Sequence, residues 1–166
     1  MMKKLISVLL ALMMLCALAS CDGGADETVS KIRPFAFQGV TVALDAEASP
    51  IIASLGEYVA FAETGSCYGD GKDKVYQYTS FKIQTFSNAG KDYILSVEIF
   101  DDADASVTTA EGIGIGARAD EVLAKHGTPI QSDDKMILYR DTEQNVKLQF
   151  LLRDGIVTNI QYLKIQ

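Results

Sequence analysis

The chain has 166 residues, of which 15 are lysine or arginine and 22 are aspartate or glutamate, so its formal net charge at pH 7 is −7. A chain this acidic argues against binding to nucleic acid, because that affinity rests on basic side chains that neutralise phosphates. The acidity mainly favours solubility, and it is compatible with a basic partner.

The first twenty residues have the layout of a secretory signal peptide. Lys3 and Lys4 give a charged start, an apolar run extends from Leu5 to Leu15, and small residues precede Cys21. The run is shorter than the roughly 20 apolar residues that span a bilayer, and no second run of that length follows. We therefore expect residues 1–20 to be removed and the mature chain not to cross the membrane.

The sequence Leu18-Ala19-Ser20-Cys21 resembles the lipobox of bacterial lipoproteins. In that family the cysteine becomes the new N-terminus and its sulfur carries a diacylglyceryl group, whose two acyl chains anchor stably at about 0.8 kcal/mol per buried methylene. The resemblance implies that Cys21 is lipidated and that the protein is exported, anchored to the cell membrane and facing outward. The alternative is an ordinary cleavable signal that a cysteine happens to follow.

Loss of the signal peptide leaves few cysteines. Cys16 departs with the signal and Cys21 is consumed by the lipid, so Cys67 has no partner within the chain. A disulfide framework is therefore excluded. We expect Cys67 to be a small buried hydrophobic residue, with a reactive thiol as the alternative. Two lysines and no acids are lost as well, which leaves 13 basic and 22 acidic residues and a net charge of −9.

Residues 21–34 are predicted to form a lipidated flexible tether. The stretch from Asp22 to Ser30 is polar, contains glycine and has no apolar periodicity. The remaining residues, about 130, are enough for one domain with a substantial core. We divide this part into two repeats, residues 35–110 and residues 111–166.

The two predicted repeats match element for element. They begin near Gly39 and Gly112 and continue into short predicted helices, 47–55 and 119–126, each followed by a glycine, which is the expected helix stop. Three strand-like runs then follow in each repeat. These runs are 74–78, 81–86 and 93–100 in the first repeat, and 135–139, 146–151 and 156–163 in the second.

The alternation of polar and apolar residues keeps its phase between the repeats, since Lys82 and Gln84 fall on Lys147 and Gln149. The predicted fold is α+β, with two tandem α-β-β-β repeats forming an antiparallel sheet and both helices on one face. The residues predicted to point into the core are Phe81, Ile83, Leu95, Val97, Val146, Leu148, Ile160 and Tyr162.

One element of the second repeat has the pattern "IG-x-x-x-x-x-V-L-x-x-x-G-x-P", formed by Ile115, Gly116, Val122, Leu123, Gly127 and Pro129. With the lipobox and the tandem repeats, it resembles the β-lactamase-inhibitor-protein-like fold. That fold is shared with small outer-membrane assembly lipoproteins of the SmpA/OmlA type and with lipoproteins of unknown role in Gram-positive anaerobes. The resemblance covers about 125 residues and implies a concave sheet face that docks a partner. No loop matches one used by β-lactamase inhibitors, so inhibition is not implied.

Residues suited to catalysis are few. The only histidine, His126, falls at the end of a predicted helix, where a cationic side chain interacts well with the helix dipole, and this role is favoured over that of a general base. No serine or cysteine has a histidine close in sequence. One histidine and one free cysteine also exclude a Cys/His zinc site. We predict no catalytic residue, no metal and no cofactor.

Two acidic clusters invite comparison with calcium loops. Asp101, Asp102 and Asp104 follow one predicted strand, while Asp70 and Asp73 lie in the preceding hairpin region. Neither cluster has the spacing of an EF-hand. Hard cations need six to eight oxygens, whereas acidic turns at strand ends are ordinary solvated loops, which is the interpretation that we favour.

The sheet face opposite the helices is the predicted partner-binding surface. Period-2 alternation places polar residues there, and three tyrosines are predicted to border them. The proposed binding residues are Tyr76, Tyr78, Lys82, Gln84, Glu98, Tyr139, Lys147, Gln149 and Gln161. The alternative is an ordinary solvated face of an antiparallel sheet.

Together these patterns predict a non-enzymatic, membrane-anchored lipoprotein that binds a protein or peptide of the cell envelope through its polar sheet face. A small-ligand binder is one alternative, and it requires an apolar cleft with a few polar groups. A metal-assisted hydrolase is another, in which the acidic loops act together with the Cys67 segment.

Overall fold

The computed structural model describes residues 31–66 and 71–165. The predicted signal peptide (1–20), the lipidation site Cys21 and most of the tether lie outside these residues, as do Cys67 and Asp70. Within the described ranges, no helix combines the length and the apolar character that crossing a bilayer requires.

The described ranges contain ten strands and two helices. The strands are β1 (Phe35–Phe37), β2 (Val40–Val42), β3 (Ala60–Gly65), β4 (Lys72–Gln77), β5 (Phe81–Asn88), β6 (Lys91–Ile99), β7 (Gln131–Ser132), β8 (Met136–Asp141), β9 (Val146–Arg153) and β10 (Ile156–Lys164). The helices are α1 (Ala48–Leu55) and α2 (Ala119–His126). Both predicted helices are confirmed to within one residue.

Strands β3 to β10 form one eight-stranded sheet in the order β3-β4-β5-β6-β10-β9-β8-β7, while β1 and β2 form a separate hairpin. Neighbouring strands of the large sheet are antiparallel. The predicted α+β class with an antiparallel sheet is therefore confirmed. The outermost strands β3 and β7 were not predicted, because every residue of both is exposed and neither shows the alternating burial that identifies a strand.

One face of the large sheet carries the core. Phe35 of the β1–β2 hairpin contacts Phe81 of β5, with ring centroids 5.1 Å apart. Ala48 of α1 and Val122 of α2 are buried in the same core, so both helices lie on this face. The predicted core residues that are confirmed as buried are Phe81, Ile83, Val97, Val146, Leu148, Ile160 and Tyr162.

The assignment of Leu95 to the core was wrong. Ile94 is fully buried instead, while Leu95 is only partly buried. The cause is a β-bulge, because Thr85 pairs with Ile94 whereas Gln84 pairs with Ser96, so that Leu95 is the extra residue. A bulge shifts the alternation by one position, and a pattern of strict period two cannot show it.

Ile32, near the first of the described residues, is hydrogen-bonded to the turn between β8 and β9. The backbone N–H of Ile32 donates to Asp141 Oδ2 at 3.0 Å, and the backbone N–H of Gln144 donates to Oδ1 at 2.9 Å. The side-chain amide of Gln144 donates in turn to the carbonyl of Ile32 at 3.0 Å. The Asp141 residue is 1% exposed. Burial alone disfavours its charge, but these hydrogen bonds outweigh burial and hold the pKa of Asp141 below its ordinary value.

Candidate functional site

The sheet face away from the helices is called the open face here. Residues that pair directly across antiparallel strands share a face, so the strand registers define its members. Its first row crosses the sheet through Gln77, Lys82, Glu98, Gln161, Gln149 and Leu138. Its second row crosses through Val75, Gln84, Ser96, Leu163, Lys147 and Arg140.

The open face brings together most of the predicted binding residues. The six that lie on it are Lys82, Gln84, Glu98, Lys147, Gln149 and Gln161. Within the two rows Gln84 is exposed, and the others are partly buried by their neighbours. The face is also more apolar than predicted, because Val75, Leu138 and Leu163 stand among the polar side chains.

Tyr139 does not border the open face, and its predicted place there was wrong. It pairs with Leu148 on the core side, is 1% exposed, and its hydroxyl donates to the carbonyl of Gly127 at 3.1 Å. Burial raises the pKa of Tyr139 to about 12. The error arose because β8 is apolar on both faces, with Leu138 on the open side and Ile137 on the core side, so hydrophobicity does not set its phase.

Tyr78 and Tyr76 also face the core side, contrary to the prediction. Tyr78 follows the last residue of β4 and stacks on Phe81, with ring centroids 4.6 Å apart and an interplanar angle of 12°. It is 6% exposed, and burial raises its pKa to about 12. Tyr76 pairs with Ile83, a fully buried residue, and therefore points to the same side as the helices.

The centre of the open face is ordered by a charged network. Lys82 Nζ lies 2.8 Å from Glu98 Oε2, and the side-chain amide of Asn159 donates to Glu98 Oε1 at 2.9 Å. Both carboxylate oxygens of Glu98 are thus engaged. An ion pair of this exposure contributes about 0–1 kcal/mol to stability. Its main effect is to fix the side chains at the junction of β5, β6 and β10.

Arg140 and Lys147 form a pair of like charges on the open face. They lie directly opposite each other in the β8–β9 register. Among the described residues no carboxylate forms a salt bridge with either of them, and Arg140 Nε is shielded from solvent without a hydrogen-bond partner. Like charges directly opposite are destabilising. Arg140 was missed by sequence reasoning, although its place two residues after Leu138 gives the signal once the phase of β8 is known.

The acidic loops form local turns in the structure. Asp101 Oδ1 accepts a hydrogen bond from the backbone N–H of Ala103 at 2.7 Å. Asp104 Oδ1 accepts from both the hydroxyl and the backbone N–H of Ser106, and these bonds lower the pKa of Asp104. Within residues 31–66 and 71–165, no three side chains of histidine, cysteine, aspartate or glutamate converge as metal ligands would.

His126 lies in the last turn of α2, as predicted, and packs against the aromatic core. Its ring centroid is 5.3 Å from that of Tyr139 and 5.1 Å from that of Phe150. Its Nε2 lies 3.5 Å from Glu111 Oε2. Burial lowers the pKa of His126, and the nearby carboxylate of Glu111 opposes that effect. The contacts of this ring are those of a packed structural side chain.

A cavity of about 250 Å³ lies on the core side, where α1 ends near the β4–β5 turn. Leu55, Tyr78, Phe81 and Asp104 are among the residues that line it. Pockets for small molecules usually measure about 300–1,000 Å³, so the volume of this cavity lies just below that range. It is separated from the open face by the thickness of the sheet.

An aromatic cluster stands at the β3 edge of the sheet and was not predicted. The ring centroids of Tyr58, Phe61 and Tyr76 lie 5.2 to 5.8 Å apart. Tyr58 is 43% exposed and Phe61 is 45% exposed. These contacts give the outermost strand a partly apolar edge on the helix side.

The fold belongs to the α+β class, with an antiparallel sheet that is covered on one face. Comparison with known proteins found a similar fold. No family model matches the chain, and no curated protein matches it. A crystal structure of a cysteine-rich secretory protein from Staphylococcus aureus is similar, with a TM-score of 0.51 and 13% sequence identity. The match covers 83% of this chain and 48% of that chain, so this chain spans about half the length of its neighbour. At this identity the likeness concerns the fold alone.

Proposed function

We propose that the protein is an exported lipoprotein, anchored to the cell membrane by lipid on Cys21 and facing outward, which binds a protein or peptide of the envelope and catalyses no reaction. The observation that carries the proposal is the open face. The two helices and the β1–β2 hairpin cover the opposite side of the sheet, whereas no described element covers this one.

The composition of the open face suits a protein interface. Interfaces combine apolar contacts with about one hydrogen bond per 100–200 Å², and arginine is enriched in them. Leu138 and Leu163 supply apolar surface, while Gln149 and Gln161 offer amide donors and acceptors beside them. The ordered network around Glu98 holds the centre in one arrangement before a partner arrives, which lowers the entropic cost of binding.

The proposal includes two tandem repeats, residues 35–110 and 111–166. The similar order of helices and strands in the two halves supports this division. In each half a short helix precedes four strands of the large sheet. The residue before each helix bridges to the last strand of its own half, Glu47 to Tyr93 and Arg118 to Ile156. The last strands, β6 and β10, pair with each other at the centre. The open face therefore continues across both halves.

The resemblance to the β-lactamase-inhibitor-protein-like fold and to SmpA/OmlA-type lipoproteins supports a docking role for this face, because the sheet face of that fold can dock a partner. The element from Ile115 to Pro129 that carries the resemblance runs through α2 on the other side of the sheet. This element therefore supports the resemblance in fold and does not identify the residues that contact a partner. The partner would be recognised by the open-face side chains themselves.

Site-specific crosslinking on native membranes tests the proposal. A photoreactive amino acid at Gln161 samples the centre of the open face, and the same group at Lys125, an exposed residue of α2, samples the helix side. We expect one discrete crosslinked protein from position 161 and none from position 125. The bulky, uncharged substitution Gln149→Trp beside position 161 should block docking and abolish that product without changing the far-ultraviolet circular dichroism. Equal products from both positions would contradict binding at the open face.

A further inference from the structure

We propose that the segment bound at the open face is acidic, with its carboxylates seated on Arg140 and Lys147; this inference rests on the proposed function of that face. Because residues directly opposite in an antiparallel pair have Cβ atoms about 4.5–5.5 Å apart, both cationic groups can reach one carboxylate or two neighbouring ones. The site is thus an anion site built into a sheet face.

Most basic residues on the strands of the large sheet have carboxylate partners, whereas this pair and the exposed Arg153 at the end of β9 have none among the described residues. Five lysines on the strands have carboxylate partners within the chain, and these are Lys72, Lys74, Lys82, Lys91 and Lys164. Among the described residues, Arg140 and Lys147 have none, although they repel each other. An acidic ligand would remove that repulsion. Within the part of the chain that the structure describes, the proposed binding surface therefore carries two uncompensated charges at one end.

The surroundings of the pair also fit a peptide carboxylate. Arg140 is only partly buried and has no carboxylate partner among the described residues, so a ligand carboxylate at its guanidinium would gain charge-assisted hydrogen bonds. A guanidinium can bind both oxygens of a carboxylate at once. Leu138 and Leu163 lie beside the two cations in the open-face rows and would contact the apolar part of the same segment.

A peptide suits this site better than an anionic bilayer. The chain from Cys21 onward has a net charge of −9, and an extended anionic bilayer surface meets more of these charges than a single peptide does. A peptide across the sheet meets mainly the charges within about 8 Å, because physiological salt screens those farther away. Arg140 and Lys147 also project from the same face as Gln149 and Gln161, so one extended segment can contact all four.

The test uses residues 21–166 with the substitution Cys21→Ser. The substitution removes the proposed lipidation site and leaves the rest of the mature chain unchanged. The probe is a fluorescein-labelled peptide of alternating glutamate and leucine, and its binding is measured by fluorescence anisotropy. Loss of both charge-assisted bonds in Arg140→Gln/Lys147→Gln should weaken binding at least tenfold. The matched control is Lys125→Gln/Lys135→Gln, which makes the same change in net charge at exposed positions of α2 and of the turn before β8 and should bind as the wild type does.

Three results would overturn the inference: no binding of the acidic peptide by the wild type, an equal loss in both double variants, or binding that 0.5 M salt leaves unchanged. Sedimentation with vesicles of phosphatidylglycerol and phosphatidylcholine forms the second arm. Binding to these vesicles through Arg140 and Lys147, without peptide binding, would replace the acidic segment by a lipid surface. If Arg140→Gln/Lys147→Gln keeps the product crosslinked at position 161, the proposed function stands and this inference fails.

Discussion

Asp141 is expected to be the most sensitive single carboxylate for the stability of the domain. The substitution Asp141→Asn keeps the shape of the side chain but replaces one oxygen by an amide donor. Both Asp141 oxygens accept backbone N–H donors, from Ile32 and from Gln144. Whichever way the amide turns, one of these N–H groups then faces another donor.

The magnitude follows from those two bonds. A hydrogen bond to a charged group contributes about 1.5–3 kcal/mol, and a buried donor left without an acceptor adds a penalty of about 1–3 kcal/mol. Part of this loss is recovered through the remaining amide oxygen of the variant. We therefore expect Asp141→Asn to lower the free energy of unfolding by roughly 2–4 kcal/mol at pH 7.

The effect depends on pH in a defined direction. The folded pKa of Asp141 is held below the unfolded value of about 3.9. The charged side chain thus contributes stability that is fully present above the unfolded pKa and is lost as the pH falls through the folded pKa. The difference in stability between wild type and Asp141→Asn should therefore be constant from pH 5 to 7 and shrink below pH 4.

Urea unfolding followed by circular dichroism measures this difference, on the chain from position 21 with Cys21→Ser. The control Glu143→Gln removes a charge from the same turn at an exposed position and should change stability by less than about 0.5 kcal/mol. The reasoning is refuted if Asp141→Asn unfolds within 0.5 kcal/mol of the wild type at pH 7. A difference that grows towards pH 3 would also refute it.

Other expected outcomes concern the core and the open face. Ile94→Ala should lower the free energy of unfolding by about 2–5 kcal/mol and Leu95→Ala by clearly less, because the bulge buries only Ile94; urea unfolding of the two variants compares them. Tyr139→Phe removes the hydrogen bond to the carbonyl of Gly127, the residue after α2, and should lower the free energy of unfolding by about 0.5–1.5 kcal/mol, with acidic-peptide binding unchanged in the anisotropy assay. Lys82→Ala should change the free energy of unfolding by less than about 1 kcal/mol, measured by thermal unfolding, since the ion pair of Lys82 with Glu98 is partly solvated.

The sequence carried enough information for the helices and for the inner strands. Glycines at positions 56 and 127 mark the helix ends and adopt positive φ values of 81° and 77°. Strands β5 and β9 bury alternate residues, among them the apolar Phe81 and Ile83 in β5 and Val146 and Leu148 in β9, so their faces could be assigned without a structure. Lys82, Gln84, Lys147 and Gln149 were therefore placed correctly on one face.

Three features could not be inferred, each for a physical reason. The fully exposed edge strand β3 has no buried side to produce a pattern. The bulge at Leu95 depends on pairing with β5, which is a non-local property. In β8, apolar residues occupy both faces, so Tyr139 was assigned to the open face and Arg140 was overlooked. The Arg140–Lys147 pair of the candidate site could therefore be recognised only once the structure showed which residues of β8 face the open side.

The pairing of β6 with β10 has a consequence for the kinetics of folding. This central contact joins residues far apart in sequence, such as Glu98 and Asn159, which are separated by 61 positions. Contacts of such high sequence separation slow folding, because a long loop must close before they form. The middle of the open face therefore does not exist in either half alone. The complete open face therefore forms only once β6 and β10 have paired, whichever half of the sheet folds first.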